Sequence, residues 1–437
     1  MCHEKKTMTS SPDLTFVLEH ADDDPKQLLL HANRYPGIDI PWCASQIEAR
    51  RKIRSKLPSW YADPRLHYPT GLSLEQASSE TTARYKAELM AHSFRQRYPD
   101  PTTVWNTADL TGGLGIDSCF LARLSCCHLY VERQQRLCQA ARHNFRILGL
   151  HERIRIREQE LTTDQLATVL EGVHTLYLDP ARRSKEGGRV YSISDCEPDL
   201  MIWKPLLLQQ QREVWVKLSP MIDLTATLKA LPETTQVHVI AVNHEVKELL
   251  FCLRSSTHAP DVPAWDQVPV HCVNLHPTDG VPTFCFRFTL SQERTAGTPR
   301  LCLPDAADAL SGYLLEPDKS LLKAGAFKSI AHKYALEKLS THTHLYLSPM
   351  PVADFPGQSF RIVRAWEFNK RSISELQALL PDLRANVTAR HFPLESAALQ
   401  QKMKLKNGDR FHVFATTLED RRKIMLLTVP LSQPPGR

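Results

Sequence analysis

V-W-N-T-A-D-L-T-G-G-L-G-I-D, residues 104–117, decides how the rest of the chain is read. An extended run over 104–108 stops at Asp109. Gly112, Gly113 and Gly115 follow, and a helix-like pattern then carries Phe120, Leu121 and Leu124. A strand, a glycine-rich turn and a helix start, in that order, bring backbone close to a nucleotide-like ligand, because glycine admits positive φ and puts no Cβ in the way. The spacing differs from G-x-G-x-x-G, and no Lys-Ser or Lys-Thr closes it as in a phosphate-binding loop. Asp109 would repel a phosphate and attract an ammonium group. The stretch therefore predicts a cationic, nucleotide-like ligand at the edge of a sheet.

Downstream, short apolar runs at 129–131, 154–156, 175–178, 214–218 and 237–242 alternate with helical stretches, and 284–290 is a candidate closing strand. That alternation predicts a parallel α/β sheet. The second strand ends at Glu132, where a carboxylate takes hydrogen bonds from ribose hydroxyls. Gln159 or Glu160, after the third strand, falls where an adenine amino group would lie; a charged loop without a ligand fits nearly as well.

The fourth strand ends in L-D-P-A-R-R, residues 178–183. An exocyclic amine on a base is a poor nucleophile, because its lone pair is delocalised into the ring. A carboxylate at Asp179 can accept the amine's hydrogen bonds and help direct that lone pair. Pro180 holds the loop extended. Arg182 and Arg183, followed by Lys185 and Arg189 around Gly187 and Gly188, make a basic loop suited to phosphate. The fifth strand ends in V-K-L-S-P-M-I-D, which places Lys217 to meet substrate phosphate or to pair with Asp179.

On the amino-terminal side, residues 1 to about 100 read as helical, with Ser78 or Ser79 capping a helix over 81–94. Arg50, Arg51, Lys52, Arg54 and Lys56 form a basic patch that reads equally well as a solvated helix face. On the other side, strands are expected at 313–315 and 344–347, with one helix over 319–339 between them. Pro349, Pro351, Pro356 and Gly357 read as a linker. A β-α-β-α-β-β series over 360–430 reads as a compact appended module.

The 437 residues allow two to four domains, and 42% hydrophobic with 23% charged is ordinary for a globular protein. No apolar run approaches a membrane span. The first residues lack the apolar core of a signal peptide, so a cytoplasmic location is expected. The 11 cysteines form no C-x-x-C, and the net charge of +6 permits a nucleic-acid partner without demanding one. His342 and His344 stand two apart with no third ligand near in sequence, so no metal is expected. No cysteine is marked as a nucleophile.

The glycine stretch resembles motif I of the class I methyltransferases that use S-adenosylmethionine (SAM), a ligand with both an ammonium and a sulfonium. It departs in carrying Thr111 where the first glycine usually stands. In that form it is similar to the D-x-T-x-G-L-G-x-D of rRNA guanine methyltransferases. L-D-P-A resembles motif IV, [DN]-P-P-x, with Ala181 and Arg182 in place of the usual residues. Taken with S-S-E-T-T-A-R-Y-K (78–86), V-K-L-S-P-M-I-D (216–223), Y-L-L-E-P (313–317) and K-A-G-A-F (323–327), residues from about 70 to 430 resemble a family of bacterial methyltransferase-like proteins. That family carries a ferredoxin-like segment and a C-terminal THUMP-like domain.

The resemblance implies an α/β fold: a Rossmann-like class I methyltransferase sheet, a helical N-terminal region and appended α+β modules, ferredoxin-like and THUMP-like. It implies domains at 1–98, 99–262, 263–356 and 357–437. SAM would be the cofactor, held by Asp109, Thr111, Gly112, Gly113, Gly115, Asp117, Glu132, Gln159 and Glu160. A base amine of rRNA or tRNA would receive the methyl group, with Asp179 and Pro180 catalytic and Arg182, Arg183 and Lys217 on the substrate. A SAM- or RNA-binding protein with little catalysis stays open as the alternative.

Overall fold

The computed structural model describes residues 12–69, 74, 76–182, 193, 196–255 and 262–431, with Arg182 described by its backbone alone. The chain divides into two compact units, one of residues 1–218, 251–262 and 276–281, the other of residues 219–250, 263–275 and 282–437. Residues 219–250 thus fall in the second unit, whereas the sequence reading groups them with 99–262.

The first unit begins with helices α1 (Pro12–Glu19), α2 (Pro25–Leu30), α3 (Ile40–Ile53), α4 (Pro58–Ala62) and α5 (Glu80–Arg97). Phe16, Val17, Leu28, Ile40, Cys43 and Ile47 form a small core among the first three. Side-chain oxygens of Asp24, Asp39 and Ser79 accept from backbone N–H groups at the starts of α2, α3 and α5, which leaves fewer orphan donors there. Three of the five cations of the basic patch hydrogen-bond backbone carbonyls of their own chain, while Lys52 and Arg54 are exposed. Arg50 donates to the Tyr61 carbonyl at 2.6 Å, Arg51 to the Ala21 and Asp23 carbonyls, and Lys56 to the Leu74 carbonyl.

Strands β1 (Asn106–Asp109), β2 (Cys127–Glu132), β3 (Ile154–Glu158), β4 (Thr175–Leu178) and β7 (Glu213–Leu218) run parallel in the order β7-β4-β1-β2-β3. Between β4 and β7 lies a short antiparallel pair, β5 (Ala181–Arg182) with β6 (Cys196–Glu197). Helices α6 (Ile116–Leu124), α7 (Gln135–Ile147), α8 (Thr163–Val169) and α9 (Leu200–Leu207) make the crossovers. All four residues of β4 and all six of β7 are buried, which accounts for runs that are apolar on both faces. Asp109 pairs in register with Tyr130 and Tyr177, and Glu132 with Glu158. The carboxyl ends of these strands therefore form one edge.

The second unit holds helix α10 (Leu224–Ala230) and strand β8 (Thr234–Val242). Strand β9 (Glu245–Arg254) begins there. Strand β10 (Val270–Leu275) runs parallel to β8 and antiparallel to β11 (Pro282–Phe288). Helix α11 (Leu290–Thr295) follows.

A separate sheet contains β12 (Tyr313–Pro317), β13 (Glu337–Lys338), β14 (Tyr346–Ser348), β15 (Gly357–Glu367), β16 (Asn386–Arg390), β17 (His412–Thr417) and β18 (Lys423–Pro430), ordered β13-β14-β12-β15-β18-β17-β16. Helices α12 (Lys319–Ala324), α13 (Phe327–Lys333), α14 (Lys370–Leu379) and α15 (Ser396–Lys402) complete it. The single helix expected over 319–339 is two, because Gly325 takes φ +79 and caps α12. Gly357 is no linker: it opens β15, and a Cβ there would meet the Glu316 carbonyl at 2.2 Å.

Candidate active site

The carboxyl edge of β1, β2, β4 and β7 collects most of the residues singled out in the sequence. Asp109 ends β1 and is 1% exposed. Its Oδ1 accepts from the Thr111 N–H at 3.0 Å and its Oδ2 from Ser118 Oγ at 2.8 Å. Burial, and next the neighbouring Asp117 charge, push its carboxyl up to about 7 against those hydrogen bonds. Asp109 thus shapes the glycine turn from within, with both carboxyl oxygens taken by Thr111 and Ser118.

The turn itself is tight. Gly112 donates to the Val131 carbonyl at 2.8 Å, and a Cβ on it would stand 2.2 Å from the Tyr130 ring. Gly113 has φ +53, and a Cβ there would meet only the Thr111 carbonyl, at 3.7 Å, so its outer face is open to a ligand. Gly115, at φ +76, caps α6. Glu132 closes the other wall. Its Oε2 accepts from the Gly113 N–H at 2.9 Å and its Oε1 from the Gln134 N–H at 2.8 Å. A carboxylate oxygen has a second lone pair, so Glu132 keeps acceptor capacity for a diol. An open glycine beside an acceptor pair fits the ribose end of SAM. Gln159 donates its backbone N–H to the Glu132 carbonyl and its side-chain amide to Gln165. Glu160 is exposed and takes Arg133, which also holds Glu197.

Asp117 turns away from the turn into a buried network. Its Oδ1 stands 2.9 Å from Lys86 Nζ, and its Oδ2 accepts from Ser78 Oγ at 2.7 Å and from Tyr177 Oη at 3.1 Å. Burial alone would raise this carboxyl, yet the Lys86 and Lys217 ammonium groups bring it below the usual carboxylate range. Lys86, unread in the sequence as a site residue, lies on the stripe Ala83, Ala87, Met90, all buried. A lysine on an apolar helix face was the available signal.

Asp179 follows β4, and Lys217 lies near the end of neighbouring β7. Lys217 Nζ is 2.5 Å from Asp179 Oδ2, with side chains 11% and 33% exposed. The pairing alternative for Lys217 is the one adopted. The Asp179 N–H donates to Thr111 Oγ1 at 2.6 Å. Pro180 is buried behind it. The side chain of Arg182 and all of Arg183, Lys185, Gly187, Gly188 and Arg189 lie outside the described residues. Thr81 donates its hydroxyl to the Pro277 carbonyl at 2.9 Å. Among the described residues no three His, Cys, Asp or Glu side chains converge as metal ligands, and no helix is long and apolar enough to cross a membrane.

Residues 313–356 match a family described as a ferredoxin-like domain, and residues 357–430 one described as THUMP domain-like. That junction falls within one continuous sheet, since β12 pairs with β15. A crystal structure described as a "putative methyltransferase" from Porphyromonas gingivalis W83 is 33% identical, with 96% of this chain and 98% of that chain covered and a TM-score of 0.80. The human methyltransferase 10 domain containing protein is 12% identical over 48% of this chain and 96% of its own, at TM-score 0.33. An O-methyltransferase from Bacillus cereus in complex with SAH is 13% identical over 46% and 100%, at 0.31. At those scores neither of the last two bears on fold or function. No curated protein matches the chain.

Proposed function

This chain belongs to the class I methyltransferase family that carries a ferredoxin-like segment and a C-terminal THUMP-like domain, and from that premise we propose that it transfers a methyl group from SAM to a base amine of rRNA or tRNA. The observation that carries this reading is the Asp179–Lys217 pair at the edge beside the glycine turn. A lysine-neutralised carboxylate accepts hydrogen bonds from a neutral amine. It holds a cationic one, such as a lysine side chain, only weakly, because the Lys217 charge already cancels most of the carboxylate's attraction.

In this reading Gly112, Gly113 and Gly115 shape the wall against which SAM lies, and Glu132 takes the ribose hydroxyls. Gln159 and Glu160 flank the adenine. Asp109 and Asp117 act through the field and shape of the turn. SAM supplies an electrophilic methyl group. Asp179 accepts the amine's hydrogens and aligns its lone pair, while Pro180 keeps the loop extended. The protein's contribution is chiefly proximity and alignment. Arg182 and Arg183 contact substrate phosphate. Within the residues 99–262 expected as the catalytic domain, the strands that carry the site lie before residue 219, and 1–98 and 263–437 flank that domain in sequence. The THUMP-like likeness supports an RNA substrate by analogy of fold.

Mass spectrometry of RNA nucleosides from cells with and without the protein tests the reading. One methylated base should disappear with the protein. Identical nucleoside profiles would reject it.

A further inference from the structure

We infer that Thr111 is a positioning residue for Asp179, setting the height of the Asp-Pro loop against the cofactor turn, and is not itself a cofactor contact. The inference rests on the proposed catalytic role of Asp179. The parallel ladder between β1 and β4 pairs Asp109 with Tyr177, and the Leu110 N–H donates to the Tyr177 carbonyl just past it. Two residues on, the Asp179 N–H finds a side chain: Thr111 Oγ1 accepts it at 2.6 Å. The Thr111 hydroxyl donates in turn to Asp109 Oδ1 at 3.3 Å, and its own N–H reaches the same oxygen at 3.0 Å.

Three links follow. Asp109 fixes where the Thr111 hydroxyl points, the hydroxyl fixes the Asp179 amide, and Lys217 fixes the Asp179 carboxylate from the other side. A β-branched side chain is stiff at χ1, so a threonine serves here as a short rigid strut. Glycine, the usual residue at this place in the motif, offers no side-chain acceptor. The departure from the familiar pattern therefore has a use: the turn that cradles the cofactor also carries the support for the acceptor-side carboxylate.

Thr111→Val keeps the shape and removes the hydroxyl, and Thr111→Ser restores it. The test compares both with the wild type and with Asp179→Ala in three measurements. These are calorimetric SAM affinity, amide hydrogen exchange of the segment around Asp179, and tritium transfer from labelled SAM to total RNA from cells lacking the protein. In Thr111→Val the Asp179 amide should exchange faster and turnover should fall on the order of 100-fold, the scale of a misplacement of about 1 Å. SAM affinity should stay near that of the wild type, as for a residue that acts on the acceptor side alone. Thr111→Ser, which keeps the hydroxyl acceptor and loses only the stiffening methyl, should recover most of the turnover and protection lost in Thr111→Val. Unchanged exchange and turnover in Thr111→Val, with Asp179→Ala inactive, overturn the positioning role and leave Asp179 standing. Parallel loss of SAM affinity makes Thr111 a cofactor contact and overturns it too. Full activity in Asp179→Ala, or no transfer by the wild type, overturns the reading underneath.

Discussion

Lys86 Nζ stands 2.9 Å from Asp117 Oδ1, and the same ammonium reaches Ser78 Oγ at 2.8 Å and Tyr177 Oη at 3.0 Å. Ser78 and Tyr177 both donate onward to Asp117 Oδ2, so the charge pair closes into a ring of hydrogen bonds joining α5, α6 and β4. Removing one member of a buried ion pair strands the other and costs about 3–5 kcal/mol. Lys86→Met should destabilise the protein on that scale. The double variant Lys86→Met/Asp117→Leu should recover much of the loss. Urea denaturation of the single and double variants measures both, and a single-variant loss below about 1 kcal/mol would contradict the role given to the pair.

Asp109 predicts a pH dependence of stability. An unfolded aspartate gives up its proton near about 3.9, whereas buried Asp109 holds its own up to about 7. Its contribution is therefore fully present below about pH 4 and is lost as pH rises through about 7. Asp117 has the opposite sign, since its carboxyl lies below the ordinary range: its contribution is present above the ordinary carboxylate range and falls away in acid. Melting temperatures of wild type and Asp109→Asn across pH 4 to 8 separate the two, a window about these values. The wild type should lose stability relative to Asp109→Asn as pH rises toward about 7 and hold level beyond it. Parallel curves would refute the shifted carboxyl.

Glu132 is expected to carry cofactor affinity. Glu132→Ala should weaken SAM binding by about 1–3 kcal/mol, the value of hydrogen bonds to a charged group. Calorimetric titration with SAM and with its demethylated product checks this, and equal affinity in the variant removes the ribose assignment. Gly112→Ala should fail differently. Its Cβ would overlap the ring of Tyr130, which is fully buried and has no room to retreat. The loss there should appear in the melting temperature.

RNA gripping by the THUMP-like region needs point changes. Cutting the chain before Gly357 would strip β12 of its partner β15 and open a core that includes Leu314, Phe360 and Phe414. Lys402, Lys404 and Lys406 are exposed on and after α15. Reversing all three to Glu should weaken RNA binding and flatten its fall with salt, because fewer phosphate contacts release fewer counterions. Mobility shifts at several salt concentrations provide the readout. An unchanged slope would assign that face to another partner.

The parallel strands of the first unit were legible because β4 and β7 are short, apolar and bounded by turns, and the glycine turn because its residues must be small. Residues 245–254 were not recognised as a strand. E-V-K-E-L-L-F-C-L-R has neither a two-residue nor a helical period, since its last apolar residues are buried on both faces. The pairing of Lys217 was one of two readings, because strand register is not visible in a single strand. Lys86 and the strut at Thr111 were missed for a related reason. Each acts through partners distant in sequence, Asp117 and Tyr177 in one case and Asp179 in the other. Thr111, where the motif usually has glycine, carries a hydroxyl that joins Asp109 to Asp179, a link that only the fold reveals.

The most direct test of the central claim is one preparation of Asp179→Ala, carried through melting temperature, SAM affinity and methyl incorporation into total RNA from cells lacking the protein. Asp179 is proposed to act on the acceptor amine and the transition state, so turnover should fall by orders of magnitude while SAM affinity stays near that of the wild type. A stable, SAM-competent Asp179→Ala protein that transfers methyl groups at the full rate would contradict the account.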